Sequence, residues 1–267
     1  VSDRIRVAVA GAAGRMGRAA ARAIVRQQDL ALVGAVGRSA GIGTDVGELA
    51  GLERLGLPVT ADLEAVLRSG VDVLVDFSPG PAAAGHAVAA IPSGVSPVIG
   101  GTGLTAEQIA QLATLADARR VGTVVAPNFA IGAVLMMEFA RQAARYFPNA
   151  EIVELHHERK RDAPSGTAMK TAAVIAQSRS GGSSPAGSEE LLSGARGGDA
   201  GGVRVHSVRL PGLVAHQEVI FGGPGQTLTI RHDSLSEDSF MPGLLLAVRR
   251  VRALPGLVYG LEKLLEL

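Results

Sequence analysis

Short apolar runs alternate with segments of helical pattern through the first half of the chain. The apolar runs lie at residues 5–10, 30–36, 71–77, 97–99 and 122–126. Between them, apolar and polar residues recur at helical spacing up to about residue 27, at 81–91 and at 106–118. This alternation predicts a parallel sheet covered by helices.

The second half opens with a helical segment and a single strand-like run. Residues 131–146 are apolar and alanine-rich, 150–157 have a strand pattern, and 168–176 are again helical in pattern. The stretch 178–202 is rich in glycine and serine. It therefore predicts an exposed, mobile loop.

Three further strand-like runs follow at short spacing, at 203–210, 215–222 and 226–233. Such short connections predict an antiparallel meander. Residues 236–254 then have a helical pattern, and 257–267 form an apolar segment that we expect to return to the first domain.

The change from alternating elements to neighbouring strands divides the chain into two domains. The predicted fold class is α/β, with a Rossmann-type dinucleotide-binding domain and a second α+β domain that carries a mixed or antiparallel sheet. The first domain covers 1–128 and is completed by 235–267. The second covers 129–234.

Composition narrows the classes of function. Hydrophobic residues make up 47% of 267 residues, which is enough for a core, while aromatic residues make up 3% and the net charge is +1. The chain has few aromatic rings on which bases could stack and too little net charge to attract a polyanion, so we predict no nucleic-acid partner. The chain has no cysteine, no signal-peptide pattern and no apolar run of about 20 residues, so we predict a cytoplasmic protein without a membrane partner.

A glycine turn follows the first apolar run. Gly11, Gly14 and Gly17 stand in a G-x-x-G-x-x-G pattern between a strand and a helix, where a dinucleotide-binding fold has its phosphate turn. Gly11 would make the tight turn, Gly14 would let the backbone approach a pyrophosphate, and Gly17 would let helix and strand pack closely. The alternative is a tight turn that needs glycine without any ligand.

The end of the second strand indicates which cofactor is used. An acid at this point binds the ribose of NAD, whereas an arginine accommodates the 2'-phosphate of NADP. Here Gly37 and Arg38 follow the strand, which favours NADPH. The alternative is that Arg38 is a solvated loop residue.

Three more loops belong to the same edge of the predicted sheet. Residues 77–79, 100–103 and 126–129 each follow a strand, and the carboxyl ends of parallel strands face the ligand crevice. Glycine, proline and asparagine also favour ordinary turns, so each loop alone has a purely structural alternative.

The segment 154–168 holds the residues best suited to chemistry. His156 and His157 end a strand and point to opposite faces, so they do not favour one metal site. Lys160, one of three lysines, suits a proton donor or a carboxylate clamp. A helix start near Gly166 and Thr167 would attract an anion. The alternative is a strand, a solvated charge run and a capped helix.

The same segment carries a resemblance to a known family. It reads E-L-H-H-E-R-K-R-D-A-P-S-G-T-A and resembles, at each fixed position, the E-x-H-H-x-x-K-x-D-A-P-S-G-T-A signature of the 4-hydroxy-tetrahydrodipicolinate reductases, or dihydrodipicolinate reductases, of bacterial lysine and diaminopimelate biosynthesis. Residues 7–17, 100–103 and 126–129 support the match, which extends over nearly all of the chain.

The resemblance implies an activity and a role for particular residues. The reaction is hydride transfer from NADPH or NADH to a cyclic imine with two carboxylates, with loss of the 4-hydroxy group as water. His156 is implied as the proton donor or acceptor and Lys160 as the proton donor, while His157, Gly166 and Thr167 hold the carboxylates. The implied cofactor contacts are Gly11, Ala12, Ala13, Gly14, Arg15, Met16, Arg38, Gly100, Gly101, Thr102, Ala126, Pro127, Asn128 and Phe129.

The resemblance also implies that the second domain binds substrate and builds a homotetramer by joining sheets. The absence of a metal is predicted from the opposite directions of His156 and His157. Two positions depart from the family pattern. Gly37 replaces an acid found in many members, which puts NADH use in doubt. Gly101 replaces a frequent threonine, which we expect to relax the loop. For Arg209 two roles stay open: a contact with the substrate, or a position on the surface without a function in the site.

The remaining histidines receive no catalytic role. His86 and His206 are predicted to have no function, and His216 and His232 to be structural or to lie at a subunit contact. Two other functions stay open: another two-domain NAD(P) oxidoreductase, such as an amino-acid or semialdehyde dehydrogenase, and a nucleotide-sensing subunit without turnover.

Overall fold

The computed structural model describes residues 4–101, 103–181 and 189–265. Within it the chain separates into two compact units. Unit 1 comprises Val1–Phe129 and Phe240–Leu267, and unit 2 comprises Ala130–Ser239. The functional roles given to the two predicted domains stay predictions.

The strands, in chain order, are β1 Ile5–Ala10, β2 Leu30–Val36, β3 Val73–Asp76, β4 Ser96–Ile99, β5 Thr123–Val125, β6 Asn149–His156, β7 Gly198–Asp199, β8 Arg204–Arg209, β9 Ala215–Gly223, β10 Gln226–Ser234 and β11 Leu257–Tyr259. The α-helices are α1 Arg15–Val25, α2 Val46–Leu49, α3 Leu63–Arg68, α4 Gly80–Ala90, α5 Ala106–Arg119, α6 Ile131–Ala143, α7 Gly166–Ser178 and α8 Met241–Arg250. Short 3₁₀ helices lie at Ile91–Ser93, Glu237–Phe240, Val251–Ala253 and Leu261–Leu264.

Unit 1 is built on a six-stranded sheet in the order β11-β5-β4-β3-β1-β2. Every neighbouring pair is parallel. All four residues of β3 are buried, as are the last four of β1, which explains why these strands are continuous apolar runs rather than alternating ones. The predicted α/β class and parallel sheet are confirmed, and β1 and β2 have the predicted bounds.

The end of the chain adds to this sheet. The apolar segment predicted from 257 contributes β11, which pairs with β5 at the sheet edge. The helix predicted at 236–254 is divided into a 3₁₀ turn, α8 and a second 3₁₀ turn. Pro242 lies in the first turn of α8, where its missing N–H is tolerated, so the preceding residues cannot continue the same α-helix.

Unit 2 has a mixed five-stranded sheet in the order β10-β9-β6-β8-β7. The predicted antiparallel meander is wrong for its first pair. β9 and β10 form an antiparallel hairpin, but β6 lies between β8 and β9, parallel to β8 and antiparallel to β9. The connection from β8 to β9 has to cross only one strand, about 10 Å, and a five-residue link can span that distance.

The two faces of this sheet differ. Ile152, Val219 and Phe221 are fully buried on the face that α6 and α7 cover. On the other face, Glu151, Arg204 and Ile220 line an open depression of about 260 Å³. Strand alternation therefore sends neighbouring residues of β6 into different surroundings.

The glycine- and serine-rich stretch is only partly described, because residues 182–188 lie outside the described ranges. Leu191 and Leu192 are highly exposed. The stretch also contains β7, which pairs with β8, and the Arg179 guanidinium donates to the carbonyls of Gly201 and Gly202 at 2.8 and 3.1 Å. Its exposure is confirmed for the described part, and its mobility stays a prediction.

Candidate active site

The glycine turn of unit 1 has no room for side chains. Gly11 has a φ of +71°, and a Cβ there would lie 3.0 Å from the Phe77 carbonyl carbon. A Cβ on Gly17 would lie 2.8 Å from Cα of Ala12. The Gly14 N–H donates to the Gly11 carbonyl at 2.9 Å, and α1 begins directly after Gly14 without a side-chain cap. A close backbone turn that leads into an uncapped helix start suits a phosphate group.

The structure brings other predicted cofactor residues to the same sheet edge. A Cβ on Gly100 would overlap the Phe77 ring and would lie 2.8 Å from the Phe129 ring. The two rings meet edge to face, with centroids 6.2 Å apart. A Cβ on Gly101 would overlap the Ser78 carbonyl oxygen. Any side chain at Gly101 would therefore push the two loops apart, and the expected relaxation of the loop stays a prediction.

Burial limits how the remaining cofactor residues can act. Ala12, Ala126 and Phe129 are almost completely buried, and the N–H groups of Ala12 and Ala126 donate to the carbonyls of Val36 and Ile99 at 3.1 and 3.0 Å. Arg15, Arg38 and Pro127 are exposed, and Ala13, Met16 and Asn128 are partly buried. Thr102 lies outside the described residues.

A buried carboxylate supports one of these loops. Asp76, at the end of β3, accepts the Ser78 N–H at 2.7 Å and pairs with Nδ1 of His86 on α4, also at 2.7 Å. The sequence predicts no function for His86, but its ring holds a residue that shapes a loop at the sheet edge. An acid closing an apolar strand is the sequence signal that marks this position.

In unit 2 the strand β6 ends at His156. Its Nδ1 is hydrogen-bonded to the Glu154 carboxylate, two residues back on the same face. His157 follows the strand, and its Nδ1 is buried with no hydrogen-bond partner among the described residues. The two histidines therefore have separate surroundings, in line with strand alternation.

Lys160 lies in the turn after the strand. Its N–H donates to the His157 carbonyl at 3.1 Å, and Nζ lies 2.8 and 2.9 Å from the two Asp162 carboxylate oxygens. The hydrogen bond from Lys160 lowers the pKa of Asp162. The lysine side chain is 22% exposed, so the ammonium is held but can be reached by a ligand.

The start of α7 completes this part of the chain. Ser165 caps the helix by accepting the Ala168 N–H at 3.2 Å, so Gly166 and Thr167 occupy the first turn. Apart from its chain neighbours and the backbone of α7, no atom of the described residues lies within 4 Å of a Cβ placed on Gly166. A helix start with open space beside it suits a carboxylate.

Glu154 opens the segment that resembles the family signature, but the sequence analysis gives it no role. It is fully buried, and Arg209 donates to its two oxygens at 2.9 and 2.7 Å. Burial by itself raises the pKa of this carboxyl, but hydrogen bonds from His156, Arg209 and Ser207 outweigh that effect and lower the pKa to about 2. Strand alternation is the signal that places Glu154 beside His156.

The described ranges hold neither a candidate metal site nor a helix suited to a membrane. No three histidine, aspartate or glutamate side chains of the described residues lie close enough together to hold a metal ion. No helix in those ranges has the length and apolar character that a membrane crossing requires.

The parallel sheet, the glycine turn and the histidine–lysine segment define a class, the NAD(P)H-dependent oxidoreductases. An amine dehydrogenase from Mycobacterium smegmatis shares the fold, with a TM-score of 0.66 and 18% identity over 95% of this chain and 94% of that chain. At this identity the likeness concerns the fold alone.

Family models and named relatives indicate a narrower group within this class. The description "Dihydrodipicolinate reductase, N-terminus" matches residues 5–129, and "Dihydrodipicolinate reductase, C-terminus" matches 132–265. A 4-hydroxy-tetrahydrodipicolinate reductase from Moorella thermoacetica is 56% identical, covering 98% of both chains, and one from Synechococcus elongatus is 49% identical, covering 98% of both. The chain belongs to the dihydrodipicolinate reductase family, as the resemblance implies.

A solved structure agrees with this assignment. A dipicolinate-bound dihydrodipicolinate reductase from Paenisporosarcina sp. TG-14 is 43% identical, with a TM-score of 0.87, and the match covers 97% of this chain and 99% of that one. The family and its enzymatic class are therefore established.

Proposed function

We propose that this chain reduces 4-hydroxy-tetrahydrodipicolinate to tetrahydrodipicolinate in lysine and diaminopimelate biosynthesis. One observation carries the proposal: a single segment, residues 154–168, places a carboxylate-held histidine, a partly buried lysine and an open helix start within one short stretch. The named relatives at 49–56% identity support the same reaction.

The segment supplies the groups that the reaction needs. We assign proton transfer to His156, whose Nδ1 is engaged by Glu154 so that Nε2 is left for exchange. Lys160 donates a proton to the substrate as the ring is reduced. Its link to the Asp162 carboxylate keeps the ammonium in place before the substrate arrives.

The two substrate carboxylates are assigned to the remaining residues. Gly166 and Thr167 offer the N–H groups of the first turn of α7, where the helix dipole favours negative charge. His157, with its buried and unpartnered Nδ1, is a second polar contact. A dicarboxylate as ligand class has support from the dipicolinate in the Paenisporosarcina enzyme.

The nucleotide-binding residues are assigned to unit 1. When bound, a reduced nicotinamide dinucleotide supplies the hydride. The backbone from Gly11 to Met16 would hold the pyrophosphate, and the loops at 100–102 and 126–129 would border the nicotinamide half. The tight packing of Gly11 and Gly17 fits this use, because a side chain at either place would fill the turn.

Arg38 carries the proposed preference for NADPH. It is exposed directly after β2, where an arginine can reach a 2'-phosphate. A Cβ on Gly37 would lie 2.9 Å from Cγ1 of Val59, so an acid at that place would require the valine to move. This crowding disfavours the carboxylate that would bind the ribose of NADH.

We also propose a homotetramer that works in the cytoplasm. The sheet face of unit 2 opposite α6 and α7 carries partly buried Val153, Leu155 and Ile220, and neighbouring Thr227 and Thr229 are exposed. Pairing of such faces would cover them and protect the edges of the sheet. Light scattering on the purified protein would give the mass, and a monomer would contradict this part of the proposal.

The reaction is tested by following NADPH oxidation at the nicotinamide absorbance. The substrate is made in place from pyruvate and aspartate semialdehyde by the upstream synthase, because it is unstable. We expect oxidation only when the synthase product is present, and faster with NADPH than with NADH. A protein that binds NADPH but oxidises it with neither partner would point to another dehydrogenase or to a sensing subunit.

A further inference from the structure

One buried carboxylate connects three segments of unit 2. Oε2 of Glu154 is hydrogen-bonded to Nδ1 of His156 and accepts Nη1–H of Arg209 at 2.9 Å. Oε1 accepts Nη2–H of the same arginine at 2.7 Å and the Ser165 N–H at 3.2 Å. The partners belong to β6, to β8 and to the cap of α7. A carboxylate on the core side of a strand thus contacts His156 and the start of α7 directly, and it reaches the turn of Lys160 through Arg209.

We infer that Glu154 is the positioning residue of the proposed substrate site: it fixes the His156 ring and, through Arg209 and Ser165, the turn of Lys160 and the start of α7. The inference rests on the proposed function, because the catalytic roles of His156 and Lys160 belong to that proposal. Glu154 is fully buried, so its action is exerted through its neighbours and not by contact with the substrate.

The hydrogen bond to Glu154 decides the tautomer of His156. The lowered pKa, about 2, keeps the carboxyl ionised near neutral pH. An ionised carboxylate only accepts hydrogen bonds, so Nδ1 of His156 has to carry a hydrogen. Nε2 is then the nitrogen that takes up and releases the proton. The imidazole ring cannot flip without losing the charge-assisted hydrogen bond to Glu154.

Arg209 extends the same control to the lysine turn. Its Nη2 also donates to the Asp162 carbonyl at 2.7 Å, and the Asp162 carboxylate binds Nζ of Lys160. Four hydrogen bonds to Glu154, Asp162 and the Val208 carbonyl occupy the guanidinium, and its remaining donor, Nε, is buried. Because its guanidinium is occupied in this way, Arg209 holds the site residues in place and does not bind the substrate.

The same strand supplies a matched control. Glu151 lies on the opposite face of β6, where Oε2 pairs with Nε2 of His206 at 2.8 Å and Oε1 pairs with Arg196. The carboxylate, histidine and arginine are thus repeated three residues away. None of these groups touches the segment 154–168 in the described hydrogen-bond network, so Glu151→Gln removes a paired charge from the same strand without reaching His156. Because Glu151 lies on the face proposed for the subunit contact, light scattering checks that Glu151→Gln keeps the mass of the wild type.

The test compares Glu154→Gln with Glu151→Gln in two measurements on the full chain. Nitrogen NMR of ¹⁵N-histidine-labelled protein, at about pH 8.5 where an ordinary imidazole is neutral, reports which ring nitrogen carries the hydrogen. The signal of His156 is assigned by its loss in His156→Gln. Steady-state kinetics with the synthase product give kcat and KM, and NADPH binding is measured separately.

We expect Nδ1–H in the wild type and in Glu151→Gln. In Glu154→Gln, Arg209 takes the amide oxygen and the NH₂ group faces the ring, so the hydrogen moves to Nε2. We expect kcat to fall on the order of 100-fold, with NADPH affinity unchanged and Glu151→Gln within twofold of the wild type. If Glu154→Gln fails to fold, the double variant Glu154→Gln/Arg209→Gln removes the unpaired guanidinium, and loss of the uniform Nδ1–H form is expected there.

Two results would overturn the inference: an unchanged His156 tautomer in the Glu154 variants, or equal losses of kcat in Glu154→Gln and Glu151→Gln. An inactive wild type would instead contradict the proposed function. The tautomer measurement uses no substrate, so the two failures are distinguishable.

Discussion

Arg209 on β8 donates to both carboxylate oxygens of Glu154 on β6, at 2.9 and 2.7 Å, in a pair whose acid is fully buried. A two-point contact of this kind fixes the distance and the relative direction of the two strands. It also means that neither partner can be removed alone without leaving the other charge uncompensated.

We therefore expect Arg209→Gln to lower the free energy of unfolding by about 3 kcal/mol, the usual scale for breaking a buried pair on one side. The control is Arg68→Gln, since Arg68 and Glu64 form a surface pair 3.2 Å apart with both side chains largely exposed. Its effect should stay below about 1 kcal/mol. Urea unfolding followed by circular dichroism measures both, and equal losses would contradict the distinction.

Stability should depend on pH through Glu154. The folded-state pKa is about 2, below the ordinary value of 4.5. A depressed pKa stabilises the fold above pH 4.5, and this contribution is lost as pH falls from 4.5 towards 2, to a total of roughly 3 kcal/mol. Unfolding free energies at a series of pH values in this window should fall less steeply in Glu154→Gln.

Glu138 provides the background for that comparison. Its hydrogen bond with Arg141 lowers its pKa to about 2 as well, so it titrates in the same window in both proteins. Only the difference between the two slopes belongs to Glu154. Parallel slopes would mean that folding does not lower the pKa of the Glu154 carboxyl.

Replacing Lys160 by alanine should lower turnover by about 100-fold or more, because a positioned proton donor contributes at least that much. NADPH binding should be kept, since the lysine belongs to unit 2. Lys263→Ala is the control, as this exposed lysine lies in the last 3₁₀ helix of unit 1. Turnover by Lys160→Ala at the wild-type rate would remove the lysine from the proposed mechanism.

Arg38→Ala should raise the KM for NADPH about tenfold and leave the KM for NADH unchanged, because only NADPH carries the additional phosphate. Arg54→Ala tests for a general effect of surface charge, since Arg54 is strongly exposed and has only a loose 3.9 Å pair with Glu48. Initial rates over a range of each cofactor give the four constants. Equal changes for both cofactors would show that Arg38 does not read the phosphate.

Asp76→Asn should weaken NADPH binding about tenfold while the KM for the substrate stays the same. The amide can keep only part of the contacts to the Ser78 N–H and to His86, and a loss of this size corresponds to about one hydrogen bond. Fluorescence titration with NADPH measures the affinity. Unchanged binding would separate the loop at 77–79 from the cofactor.

Much of unit 1 is predictable because its signals are local. Residues 5–10 and 30–36 are apolar enough to be recognised as buried strands, and Gly11 to Gly17 mark the turn between strand and helix. The short helices α2 and α3 cannot be predicted from the sequence pattern, because four and six residues are too few for a periodic pattern. Their starts depend on the side chains of Asp45 and Asp62. The candidate site was found through its residue types, His156, His157 and Lys160, and through one segment that resembles a family signature.

The parallel α/β unit, the glycine turn and the segment with the histidines and the lysine can be recognised from local pattern, since each follows from spacing along a continuous stretch. The position of β6 between β8 and β9, and the contact of Arg209 with Glu154, are visible only in the folded chain. Those two residues are separated by 55 positions, and hydrophobic pattern does not specify which strands become neighbours. Strand order depends on how the whole unit buries its apolar faces, and charge partners follow from that order.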